Sequence, residues 1–113
     1  MRTGKLAAQI AHASVMAVTE SIEHIWVQEW LNDQHYRKIV VGVDSEAELI
    51  ALLTAVSEYN YGNLDANHIH IPAFLVTDLG LTEFKGVATK TALCIGPGPA
   101  ELIDIFTRHL TLL

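Results

Sequence analysis

Residues 1–14, MRTGKLAAQIAHAS, carry the reading on which the fold turns. From Gly4 to about Ile22 the chain has no proline and no interior glycine and is dense in alanine, so the spacing predicts a helix. At about 100° per residue, Lys5, Gln9, His12 and Met16 share one narrow stripe. Leu6, Ile10, Ala13 and Ala17 form one flank of it, and Ala8, Ala11 and Val15 form the other. Such a helix is apolar nearly all round and packs on more than one side. Its three polar side chains span about 10 Å of axis. A solvated stripe on an ordinary surface helix is broader and richer in charge, so Lys5, Gln9 and His12 are read as lining a cleft.

Outward from this helix, Ile25 to Asp33 reads as a short helix or packed loop. Arg37 to Val43 reads as a strand, and its unbroken Ile39-Val40-Val41 run predicts burial on both faces. Asp44-Ser45 then opens a helix, with Ser45 and Glu48 at capping-box spacing and Leu49, Leu52, Leu53 and Val56 along its apolar stripe. Asn60 to Asn63 closes it. Ile71 to Val76 reads as a second strand delivering Thr77 and Asp78 at its carboxyl end, and Thr89 to Ile95 as a third. Gly96-Pro97-Gly98-Pro99 leads into a closing helix from Ala100 to about His109, with Leu102, Ile103, Ile105 and Phe106 inward. Alternating strands and helices without internal repeat or linker predict a single α/β domain over residues 1–113.

Composition narrows the class. Half of the 113 residues are hydrophobic and 18% are charged, which is rich for a small domain and predicts a well-filled core. No apolar run approaches the roughly 20 residues needed to cross a bilayer. Gln9 and His12 interrupt the stretch that would otherwise mimic a secretory signal. Cys94 is the single cysteine, set in an apolar run; it reads as a buried small hydrophobe, and a reducing cytoplasm fits best. The net charge of −6 opposes a polyanionic partner at first sight. Distribution matters more than the sum: Arg2 and Lys5 lie in the first segment and Lys85 and Lys90 near the third strand, so a fold that joined them would create a local positive site.

Asp78 occupies the carboxyl end of an apolar strand, where ligands of open α/β sheets gather; the competing reading is a turn in which the aspartate bonds its own backbone. His68 and His70 alternate along the chain, but without further ligands at suitable spacing they do not predict a zinc site. The GPGP run lacks the third glycine of a nucleotide loop, and its prolines remove N–H groups that a phosphate would use. There is no serine or cysteine nucleophile elbow.

Taken together, MRTGKLAAQIAHAS and DLGLTEFKGVATKTALCIGP resemble the type II peptidyl-tRNA hydrolases. In that family a G-K-x-A-A-Q-x-x-H-A helix is paired with a D-x-G-x-T turn and a later T-x-L-x-I-G-P strand. The resemblance is close at both ends and weaker from Glu23 to Pro72. It implies a three-layer α/β/α sandwich around a small mixed sheet, often dimeric, in a cytoplasmic enzyme that needs no metal or cofactor. The implied activity cleaves the ester joining a peptide, or an N-blocked amino acid, to tRNA. The implied catalytic residues are Lys5, Asp78, Thr82 and Thr91, with Arg2, Gln9, His12, Lys85, Thr89 and Lys90 engaging the substrate. Asp78 would orient or deprotonate a water, while Lys5 and a hydroxyl from Thr82 or Thr91 would stabilise the oxyanion or hold the terminal phosphate. The alternative is a non-catalytic tRNA-binding or protein-interaction module of the same fold.

The chain also departs from the family pattern. The hydrophobic strand that usually precedes the G-K helix is missing, so the sheet is expected to lack it. Leu79 replaces the common alanine. The connection from Tyr59 to Pro72 is longer. An extra residue between Thr82 and Thr91 makes Thr89 and Thr91 compete for one role, with Thr91 preferred because it precedes the A-L-C-I-G-P run.

Overall fold

A computed structural model describes residues 2–62, 69–78 and 88–113. Helix α1 spans Thr3–Glu20 and α2 spans Ile25–Asp33, followed by a two-residue strand β1, Val41–Gly42. Helix α3 runs over Glu46–Gly62; strands β2, Ala73–Asp78, and β3, Thr89–Ile95, come next. Helix α4, Ala100–Thr107, and strand β4, Thr111–Leu112, complete the order. The result is a mixed α/β arrangement in which helices flank two small antiparallel sheets, β1 with β4 and β2 with β3.

Local chemistry explains most of the boundaries. Ser45 Oγ accepts from Glu48 N at 3.1 Å, and the Glu48 carboxylate reaches back to accept from Asp44 N at 3.0 Å, so the expected capping box forms at the start of α3. At α2 the cap is His24, whose Nδ1 accepts from Trp26 N at 3.2 Å. Between β3 and α4, Gly96 adopts φ +105°, a region that side-chain-bearing residues avoid, and a Cβ built there would lie 2.9 Å from Ile103 Cδ1. Pro99 is the N-cap of α4, and its fixed φ suits the entry.

Helix α1 packs across both β2 and β3, while α3 packs chiefly on β3 and touches β2 and α4. Val27, Val56 and Ile71 have no accessible surface, each worth about 1.5–3 kcal/mol of burial. Ala13 and Ala17 are the buried apolar residues of α1, and their small size brings the helix close to the hairpin. One contact was not anticipated from sequence. The Asn60 side chain donates to Ile71 O at 2.7 Å and accepts from Ile71 N at 2.8 Å, pairing with that residue as a neighbouring strand would. It ties the end of α3 to the approach to β2.

Three expectations are corrected. The Arg37–Val43 run is not a strand buried on both faces: pairing is confined to Val41–Gly42, extended by Leu113 N donating to Val40 O at 3.1 Å, and Ile39 is 72% exposed. Helix α1 is not covered all round, because Ala8 and Ala11 are exposed and Val15 is 60% exposed. Ile105 of α4 likewise points outward, at 53% exposure. In each case an apolar residue carries no information about which side its neighbours occupy.

Candidate active site

The site grows from the contact of α1 with the β2–β3 hairpin. Residues alternate across a strand, and cross-strand partners share a face. Phe74, Val76 and Asp78 therefore lie on one face of β2 with their partners Cys94, Ala92 and Thr89. The register shifts between Val76 and Thr77: Val76 pairs with Ala92, yet Thr77 pairs with Lys90, so Thr91 is an extra residue in a β-bulge. A bulge re-aims a side chain. Here Thr91 Oγ1 donates to Gln9 Oε1 of α1 at 2.7 Å.

Close by on the same helix face, Lys5 Nζ lies 2.6 Å from Asp78 Oδ2. Asp78 is buried at the end of β2, and the lysine head group is also largely withdrawn from solvent. Lys5 stands in the first turn of α1, where the helix dipole disfavours a cation. The carboxylate of Asp78 offsets that penalty, and Lys5 in turn compensates the desolvation of Asp78. Gln9 is only 4% exposed, so α1 presents one buried carboxamide and one ammonium group, a single turn apart, to the same strand pair.

The remaining sequence-predicted residues fall as follows. Thr89 is the cross-strand partner of Asp78 and is half-buried. Lys90 pairs with Thr77, the position whose side chain points away from Asp78, so the strand register does not bring it to Lys5. His12 and Arg2 are exposed on α1 and at its N-cap. Thr82 and Lys85 lie outside the described residues, as does His68. His70 is exposed, with its ring against Tyr61 at 5.8 Å between centroids and Nε2 3.5 Å from the tyrosine hydroxyl. Cys94, half-buried on the α1-facing side of β3, has its thiol pushed up from 9.0 to about 11 by burial, so it stays protonated and is a poor nucleophile. Sequence reasoning missed the Asn60 clamp and the bulge at Thr91; neither has a local signature, since both depend on what a distant segment places opposite.

An ion-paired carboxylate at a strand end and a buried carboxamide bonded to a half-buried threonine hydroxyl mark the site of a small α/β protein. Comparison with known proteins places it more closely. The chain belongs to the family described as peptidyl-tRNA hydrolase PTH2, whose model matches residues 1–113. It is 37% identical over 111 residues to a peptidyl-tRNA hydrolase of Thermococcus sibiricus, covering 96% of this chain and 84% of that protein. A peptidyl-tRNA hydrolase of Sulfolobus acidocaldarius is 37% identical over 120 residues, with 100% and 90% covered. One from Halobacterium salinarum is 38% identical over 112 residues, with 99% and 88% covered.

Proposed function

We propose that this chain hydrolyses the ester of peptidyl-tRNA or N-blocked aminoacyl-tRNA, releasing the acyl group and free tRNA. The observation that carries the reading is the Lys5–Asp78 pair, made by two segments far apart in sequence, in a member of the PTH2 family. Asp78 orients a water and takes its proton as the water oxygen bonds to the ester carbon. The ribose oxygen leaves as its bond to that carbon breaks, and it recovers the proton. Lys5 pairs with Asp78 and, with Arg2, faces the phosphate of the terminal nucleotide. Thr82, Lys85 and Lys90 extend the substrate contacts in this reading, and His12 and Thr89 border the cleft.

The proposed architecture is a three-layer α/β/α sandwich, in which the strand pairs among the described residues are antiparallel rather than mixed. Helices on the β2–β3 hairpin support the layering. No helix among the described residues is long and apolar enough to cross a membrane, and a cytoplasmic site of action agrees with that. We further propose a homodimer, since the single chain leaves Ile39, Leu112 and Leu113 largely exposed.

The test is release of tRNA from N-acetyl-aminoacyl-tRNA, with unblocked aminoacyl-tRNA alongside. Turnover of the blocked substrate in preference to the unblocked one is expected. Tight tRNA binding without cleavage would instead identify a binding module.

A further inference from the structure

The burial of Gln9 calls for an account that the Lys5–Asp78 pair does not supply. A carboxamide at 4% exposure is costly unless its polar atoms are engaged. Its oxygen is engaged by Thr91, at 2.7 Å, and the partner is supplied by the bulge that adds Thr91 to β3. A threonine hydroxyl has one proton to donate. With that proton committed to Gln9, Thr91 has none left for a substrate oxygen. The same bond fixes the carboxamide with Oε1 toward β3 and leaves the two Nε2 hydrogens uncommitted among the described residues. Lys5, about 6 Å along the axis, is held by Asp78.

We infer that Gln9 Nε2 is the donor to the oxyanion formed when water adds to the ester carbonyl, and that Thr91 is a positioning residue which fixes the Gln9 amide. The inference rests on the hydrolase reading. It reverses the weight that the sequence assigns to these two residues: Gln9 touches the reacting oxygen, and Thr91 acts through Gln9. As the carbonyl carbon becomes tetrahedral its oxygen gains negative charge, and a preset N–H donor stabilises that state more than the neutral ester.

The experiment is kinetics on N-acetyl-aminoacyl-tRNA with wild type, Gln9→Met, Thr91→Val, the double variant and Thr91→Ser, each checked for folding by thermal denaturation. Gln9→Met is expected to lower kcat by about 10²–10³-fold with KM little changed. Thr91→Val is expected to lower kcat by less, about tenfold, and Thr91→Ser to restore it. The double variant should be no slower than Gln9→Met alone, because a residue acting through another adds nothing once that other is gone. Gln9→Glu at pH 8, which keeps the acceptor for Thr91 and removes the donor, gives the same loss and serves if Gln9→Met does not fold. Unchanged kcat in the Gln9 variants, or losses that multiply in the double variant, would overturn the inference while leaving the hydrolase reading intact. A wild type that releases no tRNA would overturn that reading and the inference with it.

Discussion

At the scale of single residues, Lys5 is placed against its own helix. A lysine in the first turn meets the positive end of the dipole, at a cost of about 0.3–1 kcal/mol, and its value lies in the buried carboxylate it faces. Lys5→Met should therefore destabilise the protein by about 3 kcal/mol in urea denaturation, since it leaves Asp78 buried without its ammonium partner. Adding Asp78→Asn should recover part of that loss. The lone thiol makes a second prediction. Because the folded protein holds the Cys94 proton until about pH 11 while the unfolded chain releases it near 9.0, the unfolded state binds fewer protons in between. Stability should then fall as pH rises through that window, and a Cys94→Ala variant should lose this part of the slope. Iodoacetamide labelling at pH 8 should be slow in the folded protein and fast in denaturant.

At the scale of elements, the clamp between α3 and the start of β2 sets where Asp78 arrives. Asn60→Ala would orphan the N–H and C=O of fully buried Ile71. Each such group costs about 1–3 kcal/mol, so a loss of at least about 2 kcal/mol is expected in thermal or urea unfolding. Gly96→Ala should cost about 1–3 kcal/mol through its positive φ alone, before its Cβ meets Ile103. These element-scale features also mark how far the sequence could be read. Strand β3 falls on the expected Thr89–Ile95, and α1, α3 and α4 differ from expectation by a few residues at most, because alanine content, the Ser45–Glu48 box and the GPGP turn are local signals. The Lys5–Asp78 meeting was legible through the paired motifs. What stayed hidden is what register and long-range packing decide. Ile39-Val40-Val41 looks like a core strand, yet only Val41 lies within β1; β4 is two residues long and too short to signal itself; and nothing around Thr91 announces a bulge.

At the scale of the whole molecule, a chain of net charge −6 must present its cations locally to hold an RNA. The proposed tRNA contacts predict that affinity falls steeply with salt. Arg2→Gln should weaken binding of different tRNAs alike and flatten the log–log salt slope by about 1; an unchanged slope would remove Arg2 from the phosphate contacts. Light scattering should find twice the 12.4 kDa chain mass, whereas the chain mass itself would refute the homodimer.

One joint holds the site together, where an amino-terminal helix and the end of a distant strand bring an ammonium group to a carboxylate. The most direct measurement is single-turnover cleavage of N-acetyl-aminoacyl-tRNA by Asp78→Asn at saturating enzyme, with tRNA affinity measured on the same preparation. The prediction is near-wild-type binding with cleavage slowed by about 10²–10⁴-fold. Cleavage at the wild-type rate by a variant that binds tRNA normally would contradict it.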